Sequence, residues 1–200
     1  MRGHILITLI SLVFLLTVGC GSQKGTISSF KIEIVPSEAF IDVDVAVWQD
    51  TDGNGTCDTY TIEPYFTEIG IKVTPITQIE SLQPEDLVVV LDEIRIDYFP
   101  KYTTRQGRQS PPPLASVSYK QGISFSSQTS SVDIPIKIAS QFQLSSPPLS
   151  DLRGTKFIDT YDAKITFIFK SPYTGETSEV ETYVTVSFAD FKSDQENCTP

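Results

Sequence analysis

The stretch DAKITFIFKSPYTGETSEVETYVTVSF, residues 162–188, decides how the rest of the chain is read. Its two halves alternate apolar and polar residues, and β-branched and aromatic side chains dominate both. That period of two is the signature of a half-buried strand, because successive side chains point to opposite faces. Between the halves lies SPYTGETSE, where Pro172 and Gly175 supply turn chemistry. The segment therefore predicts a β-hairpin.

The same pattern recurs outward from it. FKIEI (30–34) sets Phe30, Ile32 and Ile34 against Lys31 and Glu33. AFIDVDVAVWQD (39–50) points Ile41, Val43, Val45 and Val47 inward and Asp42 and Asp44 outward. TYTIEPYF (59–66) alternates around Tyr60, Ile62 and Phe66, and IGIKVTPI (69–76) follows. DLVVVLDEIRIDYF (86–99) is long, with Val88, Val90, Ile94 and Ile96 on one side. SVDIPIKIASQFQL (131–144) gives Val132, Ile134, Ile136 and Ile138, with Pro135 facing out. A proline removes a ladder donor, so this strand is expected at a sheet edge. Only SLQPEDLV (81–88) suits a helical turn, with Pro84 at a first helical position. The expectation is about eight strands in an all-β antiparallel sandwich, immunoglobulin-like or jelly-roll-like, over residues 29–192. A closed barrel is the alternative. The uneven strand spacing and the lack of repeating aromatic girdles do not fit a membrane barrel.

YTTRQGRQSPPPLAS (102–116), SFSSQTSS (124–131) and LSSPPLSD (144–151) interrupt the pattern. They read as long surface loops of one domain, since neither half alone holds enough strands to close a core. Residues 193–200 are read as a tail.

The N-terminus has its own logic. MRGHILITLISLVFLLTVGC starts with Arg2 and continues as an apolar run from Ile5 to Val18. That run is shorter than the roughly 20 residues a spanning helix needs. The closing LTVGC resembles the lipobox of bacterial lipoproteins, with Thr17 where leucine is usual. The resemblance implies a signal peptide over 1–19 and diacylation of Cys20 as the mature N-terminus. It also implies a membrane partner through the anchor, since several acyl chains hold stably where one binds marginally. Gly21, in place of an aspartate, favours an outer-membrane address. GSQKGTISS then reads as a flexible tether, with residues 20–28 assigned to it.

Removing the leader removes His4, the only histidine, and Met1, the only methionine. Histidine triads, imidazole zinc sites and haem held by histidine or methionine are excluded from such a mature chain. A formal charge of −10 does not suit a nucleic-acid partner. Cys57 and Cys198 remain, and an even pair outside the cytoplasm suggests a disulfide; two free thiols are the alternative.

The densest chemistry is VWQDTDGNGTCDTY (47–60). Counted from Asp50, it places Asp52 third, Asn54 fifth, Gly55 sixth, the Thr56 carbonyl seventh and Asp58 ninth. Alternate side chains of a tightly curled loop converge, glycine permits the bend, and hard oxygens suit Ca²⁺. These residues resemble the DxDxDG calcium loops of EF-hands, dockerins and thrombospondin-type repeats. The twelfth position is Thr61 instead of an acid, which leaves Glu63 as the extra ligand, or Asp44 or Asp42 if their strand bends. The alternative is an Asn-Gly hairpin turn with solvated aspartates.

Two functions follow. One is a lipid-anchored envelope module for binding, adhesion or assembly, with a protein or polysaccharide partner. The other is a hydrolase built on the carboxylates of residues 91–99. Asp92 and Glu93 are adjacent, so a regular strand would face them apart. Glu93, Arg95 and Asp97 share a face and read as a solvated charge set.

Overall fold

The structure is a computed structural model that describes residues 23–27, 30–76, 88–126 and 131–191. Eleven strands follow in chain order: β1 (Gln23–Ile27), β2 (Phe30–Pro36), β3 (Phe40–Asp44), β4 (Val47–Gln49), β5 (Thr59–Thr61), β6 (Tyr65–Pro75), β7 (Val88–Thr103), β8 (Val117–Ser126), β9 (Ser131–Ala139), β10 (Ile158–Lys170) and β11 (Thr177–Ala189). One sheet runs β1-β2-β6-β9 and a second runs β3-β11-β10-β7-β8. They pack as an all-β sandwich, but the second sheet is mixed and not antiparallel throughout as expected, because β3 runs parallel to β11. β4 and β5 form a separate two-stranded ribbon.

Residues 162–188 form the hairpin that their alternation predicts. Phe167 faces Val180 and Ile165 faces Thr182 across β10 and β11. The turn closes where Ser171 N–H donates to the Glu176 carbonyl at 2.9 Å, with Gly175 at φ 73°. Inward residues of both sheets meet in one continuous core that includes Ile32, Ile34, Ile71, Ile94, Ile136, Phe167 and Phe188. Pro135 lies on β9, an edge strand as expected.

Four further expectations change. The tether assigned to residues 20–28 contributes a strand, because Gln23–Ile27 pairs antiparallel with β2 and Ile27 is buried. Residues 59–66 are not one strand; Pro64 cannot donate to a ladder, and the chain breaks between β5 and β6. β6 then restarts with a register shift at Tyr65/Phe66 that leaves Phe66 exposed.

The third change is on β7, which carries a bulge between Leu91 and Glu93. One extra residue inverts the facing on one side of it. Val89 and Leu91, not Val88 and Val90, are therefore buried with Ile94 and Ile96.

Fourth, β9 stops at Ala139, and residues 141–145 are a short helix, α1 (Gln141–Ser145). Ser140 accepts the Gln143 N–H at 3.2 Å, and the Gln143 side chain accepts the Ser140 N–H at 3.1 Å. That reciprocal box satisfies donors that the first helical turn leaves open. A 3-10 turn, Leu149–Leu152, follows after the cis bond between Pro147 and Pro148.

The edges of the two sheets are tied through side chains. Tyr119 on β8 accepts the Lys137 N–H of β9 at 2.9 Å. The Lys137 ammonium sits 5.7 Å from the Phe66 ring centre and 6.0 Å from that of Tyr119. Burial pushes the Tyr119 hydroxyl up to about 12. Tyr98 donates to the Ile138 carbonyl and so joins the sheets inside. The helical turn expected over residues 81–88 and the tail at 193–200 lie outside the described residues, apart from Val88, which starts β7, so seven of the eight positions read as that turn are not described.

Candidate functional site: the acidic ribbon and the outer face of the five-stranded sheet

The acidic stretch caps the β4–β5 ribbon, in which Gln49 pairs with Thr59 and Val47 with Thr61. Its carboxylates fold the loop on itself. Asp50 accepts from the amides of Gly53 at 2.7 Å, Asn54 at 3.3 Å and Gly55 at 2.7 Å. Asp52 accepts the Asn54 amide at 3.1 Å and its side-chain NH₂ at 2.9 Å. Asn54 accepts the Thr56 amide at 2.7 Å, and Asp58 accepts the Thr51 amide at 3.1 Å and its hydroxyl. Gly53 and Gly55 sit at φ 75° and 83°, where a Cβ would be strained. The Gly55 amide, more than any other group, holds the Asp50 carboxyl below its ordinary range.

The donors fit Ca²⁺ in kind. A carboxylate offers about four lone-pair sites, so acceptance of loop amides leaves capacity on Asp50, Asp52 and Asp58. Their convergence is another matter. Among the described residues no three histidine, cysteine or acidic side chains gather closely enough to hold a metal. In this conformation the acids are occupied with turn amides, as the turn reading expects. Register also moves Glu63 away. It stands past Thr61 at the base of the ribbon, while the loop is at the tip.

Cys57 is half-buried in this loop. Cys20 and Cys198 both lie outside the described residues.

A cluster that sequence reading missed anchors the ribbon. Trp48 donates from its indole to both Asp190 oxygens, at 2.9 and 3.0 Å. Its ring meets Tyr60 edge-on, with centroids 5.1 Å apart. Arg153 lies 5.1 Å from the Tyr60 ring centre, and its guanidinium donates to the Tyr60 hydroxyl at 3.1 Å. The lone tryptophan in a short polar strand was the available signal, since Trp is usually placed to pack one face and bond through its N–H.

The carboxylates behind the hydrolase reading converge in a way that strand alternation alone does not allow. The bulge brings Asp92 and Glu93 to one side, where Lys120 bridges them at 2.8 and 2.9 Å. Glu93 also accepts from the Ser118 hydroxyl, and this bond, followed by that to Lys120, keeps its carboxyl below the ordinary range. Both acids are thus paired to one ammonium, and Glu93 is held as a carboxylate. A general acid needs the opposite environment, one that raises its pKa. Arg95 lies 3.8 Å from Asp97 and 3.6 Å from Glu179, which bears out the solvated charge set.

The outer face of the five-stranded sheet is the most distinctive surface. Phe40, Phe99, Tyr102 and Tyr183 project there, each more than half exposed. One cross-strand row reads Phe40, Thr185, Asp162, Phe99. At its centre Lys101 bonds Asp162 at 2.7 Å and Thr185 at 3.2 Å, and Thr185 donates to Asp162 at 3.0 Å. The next row pairs Tyr183 with Lys164 and Lys164 with Asp97.

No protein-family model matches the chain, and no curated protein matches it significantly.

Proposed function

We propose that the protein is a lipid-anchored envelope protein whose β-sandwich acts as a binding, adhesion or assembly module. The observation that carries this reading is the outer face of the five-stranded sheet, where exposed aromatic rings alternate with charged and polar side chains. Exposed rings in a fixed frame bind with little entropic loss. The hydrolase reading is weaker on a specific ground: its two best-placed acids are locked to one lysine.

In this reading Cys20 carries the anchor and places the sandwich at the membrane, the outer membrane being favoured. Cys57 is proposed to pair with Cys198 and so to tie the ribbon to the C-terminus. The chain-entropy account gives about 5 kcal/mol for closing a loop of that length. Asp50, Asp52, Asn54, the Thr56 carbonyl and Asp58 are proposed to hold one Ca²⁺. The ion would supply positive charge to a loop whose acids repel. Those residues themselves curl the loop and fix its amides.

Binding is tested by sedimentation. The mature chain carrying Cys20→Ser, exported through an ordinary leader, is mixed with envelope fragments and spun. It should sediment with them, and Phe99→Ala/Tyr183→Ala should leave it in the supernatant. Equal sedimentation of both forms, or of neither, would contradict the proposal.

A further inference from the structure

We propose that Asn54 is a site of spontaneous deamidation, and that Asp50 restrains the reaction by holding the Gly55 amide that would attack it. The inference concerns the covalent fate of the acidic loop and goes beyond the binding reading above.

The chemistry follows from the Asn54–Gly55 pair. The backbone nitrogen after an asparagine can attack the side-chain carbonyl carbon, and glycine puts no Cβ in the way. The nitrogen gives its proton to solvent, an N–Cγ bond closes a succinimide ring, and the Cγ–Nδ2 bond breaks to release ammonia. Water then opens the ring at either carbonyl and leaves aspartate or isoaspartate. Water is the only reactant consumed, and nothing is oxidised or reduced. Access is open: residues 51–56 are all exposed. Apart from its chain neighbours, no described atom lies within 4 Å of where a Gly55 Cβ would stand.

The bonding of the loop opposes the first step. The Gly55 N–H donates to Asp50 Oδ2 at 2.7 Å. Ring closure needs this nitrogen without its proton. A hydrogen bond to the protonated form and a carboxylate beside the developing anion both disfavour that loss. The carboxamide of Asn54 is tied at both ends: Oδ1 accepts the Thr56 N–H at 2.7 Å, and Nδ2 donates to Asp52 at 2.9 Å. Those bonds limit its turning toward the Gly55 nitrogen, and an intramolecular attack is fast only from an aligned approach.

Asp50 has the same hold on the preceding pair. Its Oδ1 accepts the Gly53 N–H at 2.7 Å, and that amide is the one that would attack Asp52. One carboxylate thus covers the nucleophile of both such pairs in the loop. Conversion of Asn54 would undo its own restraint. An acid at position 54 lacks the Nδ2 donor and sets a second carboxylate against Asp52, while isoaspartate lengthens the main chain ahead of Gly55.

Peptide mass spectrometry of the purified protein tests this, with chelator present so that no metal occupies the loop. Samples are aged at one pH, folded and in urea. Folded wild type should deamidate at Asn54 about tenfold more slowly than in urea, or slower still. Asp50→Ala should raise the folded rate about tenfold or more. Thr51→Ala removes the hydroxyl bond to Asp58 but leaves the Gly55 amide on Asp50, and it should age like wild type. Thermal melts confirm that each variant is folded. Absence of deamidation in urea would remove the site. Equal rates folded and in urea, or an Asp50→Ala rate no faster than wild type, would remove the restraint. An equal rise in Thr51→Ala would assign the restraint to the stiffness of the whole loop and overturn the role given to Asp50.

Discussion

Asp159 shares β10 with Tyr161, Ala163 and Ile165, and strand alternation alone puts it inside. The structure buries it completely and supplies what a buried charge requires. Thr103 donates to it at 2.6 Å, and Arg105 reaches it at 2.6 Å while also donating to the Pro148 carbonyl at 2.8 Å. One ion pair thus holds the loop after β7 and the 3-10 segment onto β10. Removing one partner leaves the other charge uncompensated, so Arg105→Ala is expected to cost about 3–5 kcal/mol in chemical denaturation. A loss below about 1 kcal/mol would show that the pair is dispensable.

The acidic loop was legible as composition, and its curl follows from the same spacing; whether its oxygens converge was not, because turn amides and a metal compete for the same lone pairs. Extracellular sites of this kind bind Ca²⁺ at about 10⁻⁴–10⁻³ M. Tenfold excess over that constant adds about 1.4 kcal/mol by mass action. The melting temperature should then rise by about 3–6 °C against chelator, and Asp52→Ala should abolish the rise. An unmoved melt, with the variant behaving like wild type, leaves the plain turn. The loop also has a pH signature. Asp50 is held below its unfolded value of about 3.9, so its contribution is present above that pH and is lost as pH falls through the lower folded value. The amide signals of Gly53, Asn54 and Gly55 should titrate together with a midpoint below 3.9; a midpoint at or above it would contradict the bonding seen here.

At the level of elements, alternation identified the β10–β11 hairpin, because long regular strands repeat one physical pattern many times, and Pro135 identified the edge position of β9. It failed where a single residue breaks the repeat. The β7 bulge exchanged Val88 and Val90 for Val89 and Leu91, and the same bulge put Asp92 and Glu93 side by side. A bulge leaves no mark in hydrophobic period until facing is known on both sides of it. The helix after β9 was legible but overlooked: Ser140 and Gln143 have capping-box spacing, and the apolar Phe142 and Leu144 prolonged the strand pattern past its end. Ser140→Ala should cost about 1 kcal/mol in equilibrium unfolding. A neutral result would mean that packing of Leu144 and Leu149, both fully buried, carries α1 without its cap.

For the whole molecule, two ordered sheets share one core, and the proposed function lies in what meets the outer face of the five-stranded sheet. The proposed anchor at Cys20 belongs to this scale as well. Metabolic labelling with a fatty acid should mark the wild type and not Cys20→Ala; label retained in that variant would remove Cys20 from the account. The central claim, that the five-stranded sheet meets a partner in the envelope, is tested most directly by site-specific photocrosslinking in intact cells. A photoreactive residue replaces Phe99 or Tyr183 on that face in one pair of variants. In the control it replaces Val35, which is exposed on the four-stranded sheet. The account predicts adducts from Phe99 and Tyr183 positions and none from Val35. Adducts from Val35 alone, or none from the five-stranded face, would contradict it.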